Sequence, residues 1–488
     1  MKYSIICLLS FIIHLQLHAS KPNIVFILAD DLGYGEIGAY GQKKIKTPHI
    51  DKLAQAGMKF TNHYSGAPVC GPARCVLLTG QHLAHSQVRG NKEYHRKGTK
   101  FGGQHPLAEG TLTIAKLLKE QGYATGAFGK WGLGHSTTSG SPLKQGFDRF
   151  YGYNCQRNAH SYYPGYLDDN ETEVVINKNP IPGHKHQGQG EVLADTYRAE
   201  NYAPDLILKE AVKFIDKNKD NPFFLYLPFV EPHVAIQSPQ DWSDKYPKEW
   251  DTKPYRGGSY LPHPRPRAAY AALISDMDEN IGKIIRRLKK HKLDKNTIIV
   301  MTSDNGPTFA GGVDYKFFDS ASGFRGLKGS VYEGGLKVPL IVKWPGKIKA
   351  GSTSDAVSYF PDWYPTLARI AGLKNIQKTR PDLGLDGESL VPAFFGKKIK
   401  KRSQAMYWEF REYGGLIAIR QGKWKLIKRK LLSKNPTNWE LYNLEEDEKE
   451  SNNLASQNPK LVKKLEQKWL KTRTANQNFP FPKLDKLK

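Results

Sequence analysis

The chain has 488 residues, which is enough for one large domain and a smaller one. Its composition, 39% hydrophobic and 25% charged, excludes a wholly disordered protein. Lysine and arginine total 73 against 47 aspartate and glutamate, a formal net charge of +26, and a surface this basic leaves three classes of partner open: nucleic acid, an anionic membrane, and a sulfated or carboxylated polysaccharide.

The first segment predicts export. Lys2 precedes an apolar run over 5–17, which is too short to cross a bilayer and is typical of a signal peptide. The small residues Ala19 and Ser20 predict cleavage after Ala19. We therefore expect residues 1–19 to be a signal peptide, no other segment to span a membrane, and the mature protein to be periplasmic or secreted.

The central part of the chain alternates predicted strands and helices. Largely apolar runs predict buried parallel strands over 23–28, 123–128, 222–229, 297–302 and 338–343. Capping residues and one-sided apolar patterns predict helices over 47–57, 113–121 and 266–288. Polar clusters follow the strands, where open α/β sheets place ligands. The predicted fold is therefore α/β, with a large, mostly parallel sheet sandwiched by helices.

The region after residue 396 has a different pattern. It predicts short strands over 406–410, 416–420 and 424–427, then a segment 441–444 and a lysine-rich helix near 459–471. This pattern indicates a smaller α+β subdomain with an antiparallel sheet. The predicted division is a catalytic domain over 20–396 and a C-terminal subdomain over 397–488, which ends in a basic tail.

Cysteine usage draws attention to one motif. Four cysteines are present, and Cys7 leaves with the predicted signal peptide. The other three, Cys70, Cys75 and Cys155, are an odd number and do not suit a disulfide framework. Cys155 either packs in the core or pairs with Cys75.

Cys70 opens the sequence Cys-Gly-Pro-Ala-Arg, which leads on to Leu-Leu-Thr-Gly. Pro72 suits the first turn of a helix, so Cys70 is predicted at a helix N-terminus, where the helix dipole stabilises negative charge. Arg74 lies one turn further along and can reach toward the same place. These residues alone indicate either a reactive group at position 70 or a buried cysteine before a helix.

Two acidic clusters follow predicted strands. Asp30 and Asp31 come after the first strand, and Asp304 and Asn305 come after the strand over 297–302. Adjacent carboxylates repel each other unless a cation lies between them. Each cluster alone is a weak indication, since Asp-Asn-Gly is usually a turn. Together they predict an oxygen-rich site for a hard divalent cation.

Other polar residues stand in similar places. Lys130 and Lys328 lie in glycine-rich turns beside strands, and His233 follows the strand over 222–229. The loop over 154–164 interleaves polar and aromatic residues. The segment 260–267 is a second candidate of this kind and is a possible lid over the site. Sugar-binding sites combine residues of these types, although such a loop is also an ordinary surface feature.

The Cys-x-Pro-x-Arg sequence with its downstream Leu-x-Thr-Gly resembles the signature of the type I, formylglycine-dependent sulfatases of the alkaline phosphatase superfamily. At the position of Gly71 that family more often has threonine, serine or alanine, and at the position of Ala73 it more often has serine. The loop over 154–164 resembles one in bacterial carbohydrate sulfatases. The resemblance implies an alkaline phosphatase-like fold for the main domain.

The resemblance implies a modified residue and a metal. In this family the cysteine is oxidised to formylglycine (3-oxoalanine) by a formylglycine-generating or anaerobic sulfatase-maturating enzyme, and the hydrate of formylglycine is the nucleophile. Cys70 is the matching position. The family's calcium ligands match Asp30, Asp31, Asp304 and Asn305, with the oxygen of residue 70 completing the shell. Magnesium is the second choice of metal.

The resemblance also implies roles for basic residues. Arg74, Lys130 and Lys328 match residues that offset the charge of the sulfate group, and Lys130 and Lys328 match the lysines that clamp its oxygens. His233 matches the histidine near the ester oxygen that becomes the leaving group.

One family position is different in this chain. Relatives that read Gly-Lys-Trp-His place a histidine against the formylglycine hydrate, but Gly132 stands there in this sequence. His135 and His160 are the two possible substitutes. By resemblance, Gln156, Arg157 and His160 are also candidates for binding the substrate.

The predicted function is hydrolysis of sulfate esters on a carbohydrate, such as algal ulvan or carrageenan or a glycosaminoglycan. Two alternatives stay open: a phosphate or phosphonate monoester hydrolase of the same superfamily, and a non-catalytic protein that binds anionic glycans. Nucleic acid is not an expected partner, because the sequence shows no zinc-finger, helix-turn-helix or RNA-binding motif and predicts export.

Overall fold

The computed structural model describes residues 21–94, 102–400, 402 and 404–485. The predicted signal peptide, residues 1–19, lies outside the described residues. Within them the chain forms a large sheet, a two-stranded sheet, a four-stranded sheet and the helices that cover them.

The elements of the described residues are as follows. The strands are β1 (Asn23–Ala29), β2 (Met58–Phe60), β3 (His63–Tyr64), β4 (Ala124–Lys130), β5 (Arg149–Tyr153), β6 (Tyr166–Asp169), β7 (Thr172–Val175), β8 (Phe223–Pro228), β9 (Thr297–Ser303), β10 (Leu340–Lys343), β11 (Ser352–Ser354), β12 (Ser358–Tyr359), β13 (Met406–Phe410), β14 (Leu416–Gln421), β15 (Trp424–Lys428) and β16 (Glu440–Asn443). The α-helices are α1 (Pro48–Gln55), α2 (Cys70–Thr79), α3 (Ile114–Glu120), α4 (Ala203–Lys217), α5 (Gln240–Ser243), α6 (Pro266–Lys290), α7 (Glu333–Leu336), α8 (Trp363–Ile370), α9 (Ile376–Thr379), α10 (Val391–Phe394), α11 (Pro459–Thr472) and α12 (Pro482–Asp485).

The main sheet has ten strands in the order β11-β2-β10-β9-β1-β8-β4-β5-β6-β7. The five central strands, from β9 to β5, run parallel to one another, whereas β10, β6 and β7 run antiparallel to their neighbours. In the register, Leu28 of β1 lies beside both Thr302 of β9 and Pro228 of β8, so these three strands end side by side. The predicted α/β fold with a large, mostly parallel sheet is confirmed.

Helices cover both faces of the main sheet, which explains why its central strands are apolar throughout. All seven residues of β1 are buried. Phe26 points into a hydrophobic cluster that includes α2, α3 and α8, and Ile27 points into a cluster on the other face that includes α1, α4 and α6. Helix α6 is the longest of the described helices, and it runs two residues beyond its predicted end.

The C-terminal region forms the predicted antiparallel sheet. Its four strands follow the order β13-β14-β15-β16, and every neighbouring pair is antiparallel. Helix α11 packs on this sheet, with the ring of Trp469 stacked on Tyr407 at 5.5 Å. These side chains belong to the same hydrophobic cluster as one face of the main sheet. The domain boundary at residue 396 stays a prediction.

A buried ion cluster joins the C-terminal sheet to the main body. Lys425 of β15 has no exposed side-chain surface, and its Nζ lies 2.8 Å from Oε1 of Glu333 and 2.9 Å from Oε1 of Glu450. Glu333 begins α7, at the end of the glycine-rich loop that carries Lys328. The position of this loop therefore depends on a strand of the C-terminal sheet.

Two further expectations concern the membrane and the thiols. Across the described part of the chain, none of the helices combines the length and apolar character needed to cross a membrane. Cys70, Cys75 and Cys155 are buried free thiols. The considered pair of Cys75 with Cys155 is therefore not formed.

Candidate active site

The carboxyl ends of β4, β8, β1 and β9 bring the predicted polar clusters to one edge of the sheet. Because these strands are neighbours and parallel, the residues that end or follow them converge there. Each of these side chains is at most 2% exposed: Asp30, Asp31, Lys130, His233, Asp304 and Asn305. The predicted gathering of carboxylates, lysine and histidine is thus a feature of the fold.

Cys70 is the first residue of α2, as its motif predicts. Its Sγ lies within 4.8 Å of a carboxylate oxygen from Asp30 and one from Asp304. Burial raises the pKa of the Cys70 thiol, although the charges of Lys130 and Lys328 act in the opposite sense. An unmodified Cys70 therefore stays protonated at neutral pH.

Arg74 lies fully buried beside the acidic cluster. Its Nη2 is 2.7 Å from Oδ2 of Asp304 and 3.3 Å from Oδ2 of Asp30, and its Nη1 donates to the carbonyl of Lys130. Lys130 Nζ lies 2.5 Å from the same oxygen of Asp30. Burial disfavours the ionised form of Asp30, but the positive charges around it, that of Lys130 first, together outweigh burial, and the pKa of Asp30 falls below its ordinary value.

The oxygen atoms of the cluster fit a hard divalent cation. Among the described residues, the buried Oδ1 of Asp30 and the buried Oδ1 of Asn305 have no hydrogen-bond partner. Burial, then repulsion from Asp30, raises the pKa of Asp304 to about 7, and burial also raises the pKa of Asp31. A cation at this place would bind the oxygen atoms that lack a hydrogen-bond partner, and it would favour the ionised forms of the carboxyl groups.

Lys328 and His233 form a pair above Asp31. Lys328 Nζ lies 2.8 Å from Oδ2 of Asp31 and 3.1 Å from Nε2 of His233. Because an ammonium group only donates, Nε2 accepts this hydrogen bond, and Nδ1 donates to the carbonyl of Val234 at 2.5 Å. Burial and then the charge of Lys328 hold the pKa of His233 well below its ordinary value, so the ring is neutral.

Aromatic rings form one wall of the site. The ring of His160 stacks on His233 at 5.0 Å and 11°, and its Nδ1 lies 2.9 Å from Nε2 of His184. Tyr260 lies 5.3 Å from His160 and 6.0 Å from His233, with its ring tilted steeply to both. This wall combines flat faces with hydrogen-bonding edges.

Gln156 and Asn91 both lie against Cys70. Oε1 of Gln156 is 2.7 Å from the Sγ of Cys70, and Nδ2 of Asn91 is 3.5 Å from the same sulfur. Oδ1 of Asn91 accepts a hydrogen bond from the backbone N–H of Gly71 at 2.9 Å. Gly132, at the position where the resemblance implies a histidine, adopts a φ of 75°, and a Cβ atom there would lie 2.4 Å from Nε2 of Gln156.

The two remaining predicted residues lie further out. His135 is buried, with its Nδ1 hydrogen-bonded to the hydroxyl of Thr137 and its Nε2 3.5 Å from Glu173. Arg157 has 53% of its side chain exposed and donates from Nε to Glu93 at 2.7 Å. The structure therefore brings Gln156 to Cys70 and His160 to His233, and it places His135 beside Glu173.

Two family profiles match the chain. The sequence profile of the family described as Sulfatase matches residues 22–373, which is most of the chain. The chain belongs to the sulfatase family. A second profile, described as N-sulphoglucosamine sulphohydrolase, C-terminal, matches residues 323–475. The resemblance to type I sulfatases is confirmed, and the sulfatase is a sulfuric ester hydrolase.

Relatives of the sulfatase include one that is named for a sugar and one that is named for a steryl ester. It is 29% identical over 513 residues to N-acetylgalactosamine-6-O-sulfatase of Bacteroides thetaiotaomicron, with 92% of each chain covered. It is 30% identical over 460 residues to steryl-sulfatase of Rattus norvegicus, covering 82% of this chain and 74% of the relative. The crystal structure of Ps i-CgsB in complex with k-i-k-neocarrahexaose matches with a TM-score of 0.74 at 30% identity, covering 92% of this chain and 93% of that one.

Sequence reasoning missed two side chains at the site of the sulfatase, Asn91 and His184. Asn91 follows α2 in an irregular segment, and nothing in its neighbourhood marks it as functional. His184 belongs to a His-Lys-His run over 184–186, a concentration of imidazoles that offered a usable signal.

Proposed function

We propose that the sulfatase hydrolyses sulfate esters on a carbohydrate, using a formylglycine made from Cys70 and a calcium ion. The supporting observation is the burial of Cys70 within 4.8 Å of carboxylate oxygens from Asp30 and Asp304, with Lys130 and Lys328 close by. A thiol that stays protonated is a weak nucleophile. This favours conversion of residue 70 to a different reactive group.

Calcium is the proposed metal, with magnesium as the second choice. Asp30, Asp31, Asp304, Asn305 and residue 70 would hold it. The oxygen-only donors and the unpartnered Oδ1 atoms of Asp30 and Asn305 support this assignment. When bound, the cation supplies positive charge that offsets the anionic sulfate group and stabilises charge that develops on it.

The basic residues of the site deal with the charge of the substrate. A sulfate ester is anionic and repels an oxygen nucleophile. Lys130 and Lys328 lie on either side of the acidic pair, at Asp30 and Asp31 respectively, and we assign them to the sulfate oxygens. Arg74 contacts Asp30 and Asp304 through its Nη2 and keeps both carboxylates in place. Fixed charges of this kind need no reorganisation during the reaction.

The leaving oxygen needs a proton, and we assign its delivery to Nε2 of His233. A nucleophilic oxygen at residue 70 would form a bond to sulfur as the sulfur–oxygen bond of the ester breaks, the proton would convert the departing oxygen into an alcohol, and sulfate would then leave residue 70. Nε2 accepts a hydrogen bond from Lys328 at 3.1 Å, so the neutral ring must take up a proton when the substrate binds. The negative charge of a bound sulfate ester counteracts the effect of Lys328 on the pKa of His233 and favours a protonated ring.

A sulfated polysaccharide, or an oligosaccharide derived from one, is the proposed substrate. The net charge of +26 attracts polyanions, and the wall of His160, His184 and Tyr260 offers stacking surfaces for a sugar. One relative is named for N-acetylgalactosamine, and one similar crystal structure holds k-i-k-neocarrahexaose. Ulvan, carrageenan and glycosaminoglycans are the classes to test.

Export and maturation belong to the same proposal. The pattern of residues 1–19 supports a signal peptide, and Cys-x-Pro-x-Arg supports recognition by a formylglycine-generating or anaerobic sulfatase-maturating enzyme. Sequencing the N-terminus of protein recovered from the periplasm or medium tests the first; co-expression with either maturating enzyme tests the second.

Two measurements test the proposed function. Intact mass of the peptide containing residue 70 should be lower than the cysteine form by roughly 18 Da, because a thiol is replaced by an aldehyde. Turnover should be seen on a panel of sulfated oligosaccharides and should exceed turnover of matched phosphate esters. An unmodified Cys70 with no turnover supports a glycan-binding protein, and a large preference for phosphate supports a phosphomonoester or phosphonate hydrolase.

A further inference from the structure

Two glycines that depart from the family pattern face the same side chain. A Cβ atom at Gly132 would lie 2.4 Å from Nε2 of Gln156, and one at Gly71 would lie 3.0 Å from that atom and 2.6 Å from Oδ1 of Asn91. Separations this short require the neighbour to move. Both glycines therefore leave room for Gln156, which lies between them.

Gln156 is held firmly in this space. It is 4% exposed, and its backbone N–H donates to Oε1 of the buried Gln104 at 2.8 Å. Its Oε1 accepts a hydrogen bond from the thiol of Cys70 at 2.7 Å. Its Nε2 is buried and has no hydrogen-bond partner among the described residues. A buried amide donor without a partner is costly, which indicates that a ligand oxygen pairs with it in the working enzyme.

We propose that Gln156 positions the nucleophile at residue 70, in the place where relatives use a histidine and this chain has Gly132. The inference rests on the proposed function, since the group it positions is the hydrate of formylglycine. With formylglycine at residue 70, Oε1 of Gln156 would accept a hydrogen bond from a hydroxyl of the hydrate, and Nε2 would donate to an oxygen of the bound sulfate group. The amide thus fixes the direction of the attacking hydroxyl relative to sulfur.

Substitution of Gln156 gives the direct test. Gln156→Leu replaces the amide with an apolar side chain of similar size and removes both hydrogen bonds, and Gln156→His keeps an uncharged donor and acceptor. Rates are divided by the formylglycine content, measured by mass spectrometry. We expect Gln156→Leu to lower kcat by about 10- to 100-fold with little change in KM, and Gln156→His to retain more of the kcat. A role in packing alone does not predict this rescue.

A double-mutant cycle tests the part played by Gly132. Gly132→Ala should displace Gln156 and lower kcat, but it should have a much smaller further effect when combined with Gln156→Ala, because the three atoms nearest to the added Cβ all belong to Gln156. Gly190→Ala is the matched control, since Gly190 also has a positive φ and a Cβ atom there meets nothing within 4 Å. Gly132→Ala leaves the amide present, so it tests the same contact if the variants of residue 156 do not fold.

The outcomes separate the two proposals. A wild-type protein without formylglycine or sulfate ester turnover overturns both. An active wild type, together with a Gln156→Leu variant of normal formylglycine content and unchanged kcat, overturns only the assignment of Gln156. Equal losses in Gln156→Leu and Gln156→His, or additive effects of Gly132→Ala and Gln156→Ala, also overturn it.

Discussion

Replacing Arg74 with methionine should destabilise the fold strongly. The guanidinium has no exposed surface, and its Nη2 lies 2.7 Å from Asp304 and 3.3 Å from Asp30, both also fully buried. Removing the cation leaves two carboxylates buried close together with less compensating charge. Breaking a buried pair in this way lowers the free energy of unfolding by about 3–5 kcal/mol.

The loss should increase with pH in metal-free buffer. Burial and then Asp30 raise the pKa of Asp304 in the folded protein to about 7, from an ordinary value of 3.8, and removal of Arg74 raises it further. A carboxyl group with a raised folded pKa binds its proton more tightly in the folded state, so stability falls as the pH rises between the unfolded and folded pKa values. The deficit of Arg74→Met should therefore be greater at about pH 8 than at about pH 6.

Equilibrium urea unfolding, followed by tryptophan fluorescence in the presence of a chelator, measures both effects. Arg287→Met is the matched control, because Arg287 also pairs with an aspartate, Asp216, but the side chains are 28% and 32% exposed. Such a pair contributes little. If Arg74→Met loses no more stability than Arg287→Met, the buried charge cluster does not support the fold as described.

Three further predictions concern activity. Cys70→Ala should abolish sulfate ester turnover while circular dichroism stays unchanged, because the nucleophile is lost from a polar site; retained activity contradicts the mechanism. Asp304→Ala should weaken calcium binding in titration calorimetry together with kcat, because a metal oxygen ligand is removed; full wild-type activity in chelator argues against the metal. Raising the salt concentration should lower kcat/KM for sulfated oligosaccharides, because screening weakens attraction to the basic surface; a salt-independent value removes steering by charge.

The centre of the fold was predictable because buried parallel strands are apolar over their whole length. The runs over 23–28 and 297–302 match β1 and β9 almost residue for residue. The edges of the main sheet were not predictable in the same way. Strand β2 has only three residues, so its alternating pattern is too short to recognise, and all four residues of β7 are exposed, so β7 depends on pairing with its neighbour rather than on a hydrophobic pattern of its own.

The candidate site divides along similar lines. Asp30 and Asp304 were recognisable because they directly follow apolar strands, and the parallel sheet then brings them together. The contact of Gln156 with Cys70 was not recognisable, because it depends on how a loop crosses the site and on the space that Gly132 leaves. The sequence indicated His135 or His160 as the substitute at this point, whereas the structure places the amide of Gln156 there.

The ion cluster of Lys425, Glu333 and Glu450 has a consequence for how this protein changes over evolution. Lys425 belongs to the C-terminal sheet, and Glu333 follows the loop that carries Lys328. Because these two residues pair, we expect the sheet and the loop to be inherited together. A recombination point between them that brings in a sheet without a lysine at the position of Lys425 would leave Glu333 buried without this cation. Chimeric sulfatases should therefore be joined before this loop rather than at the start of β13.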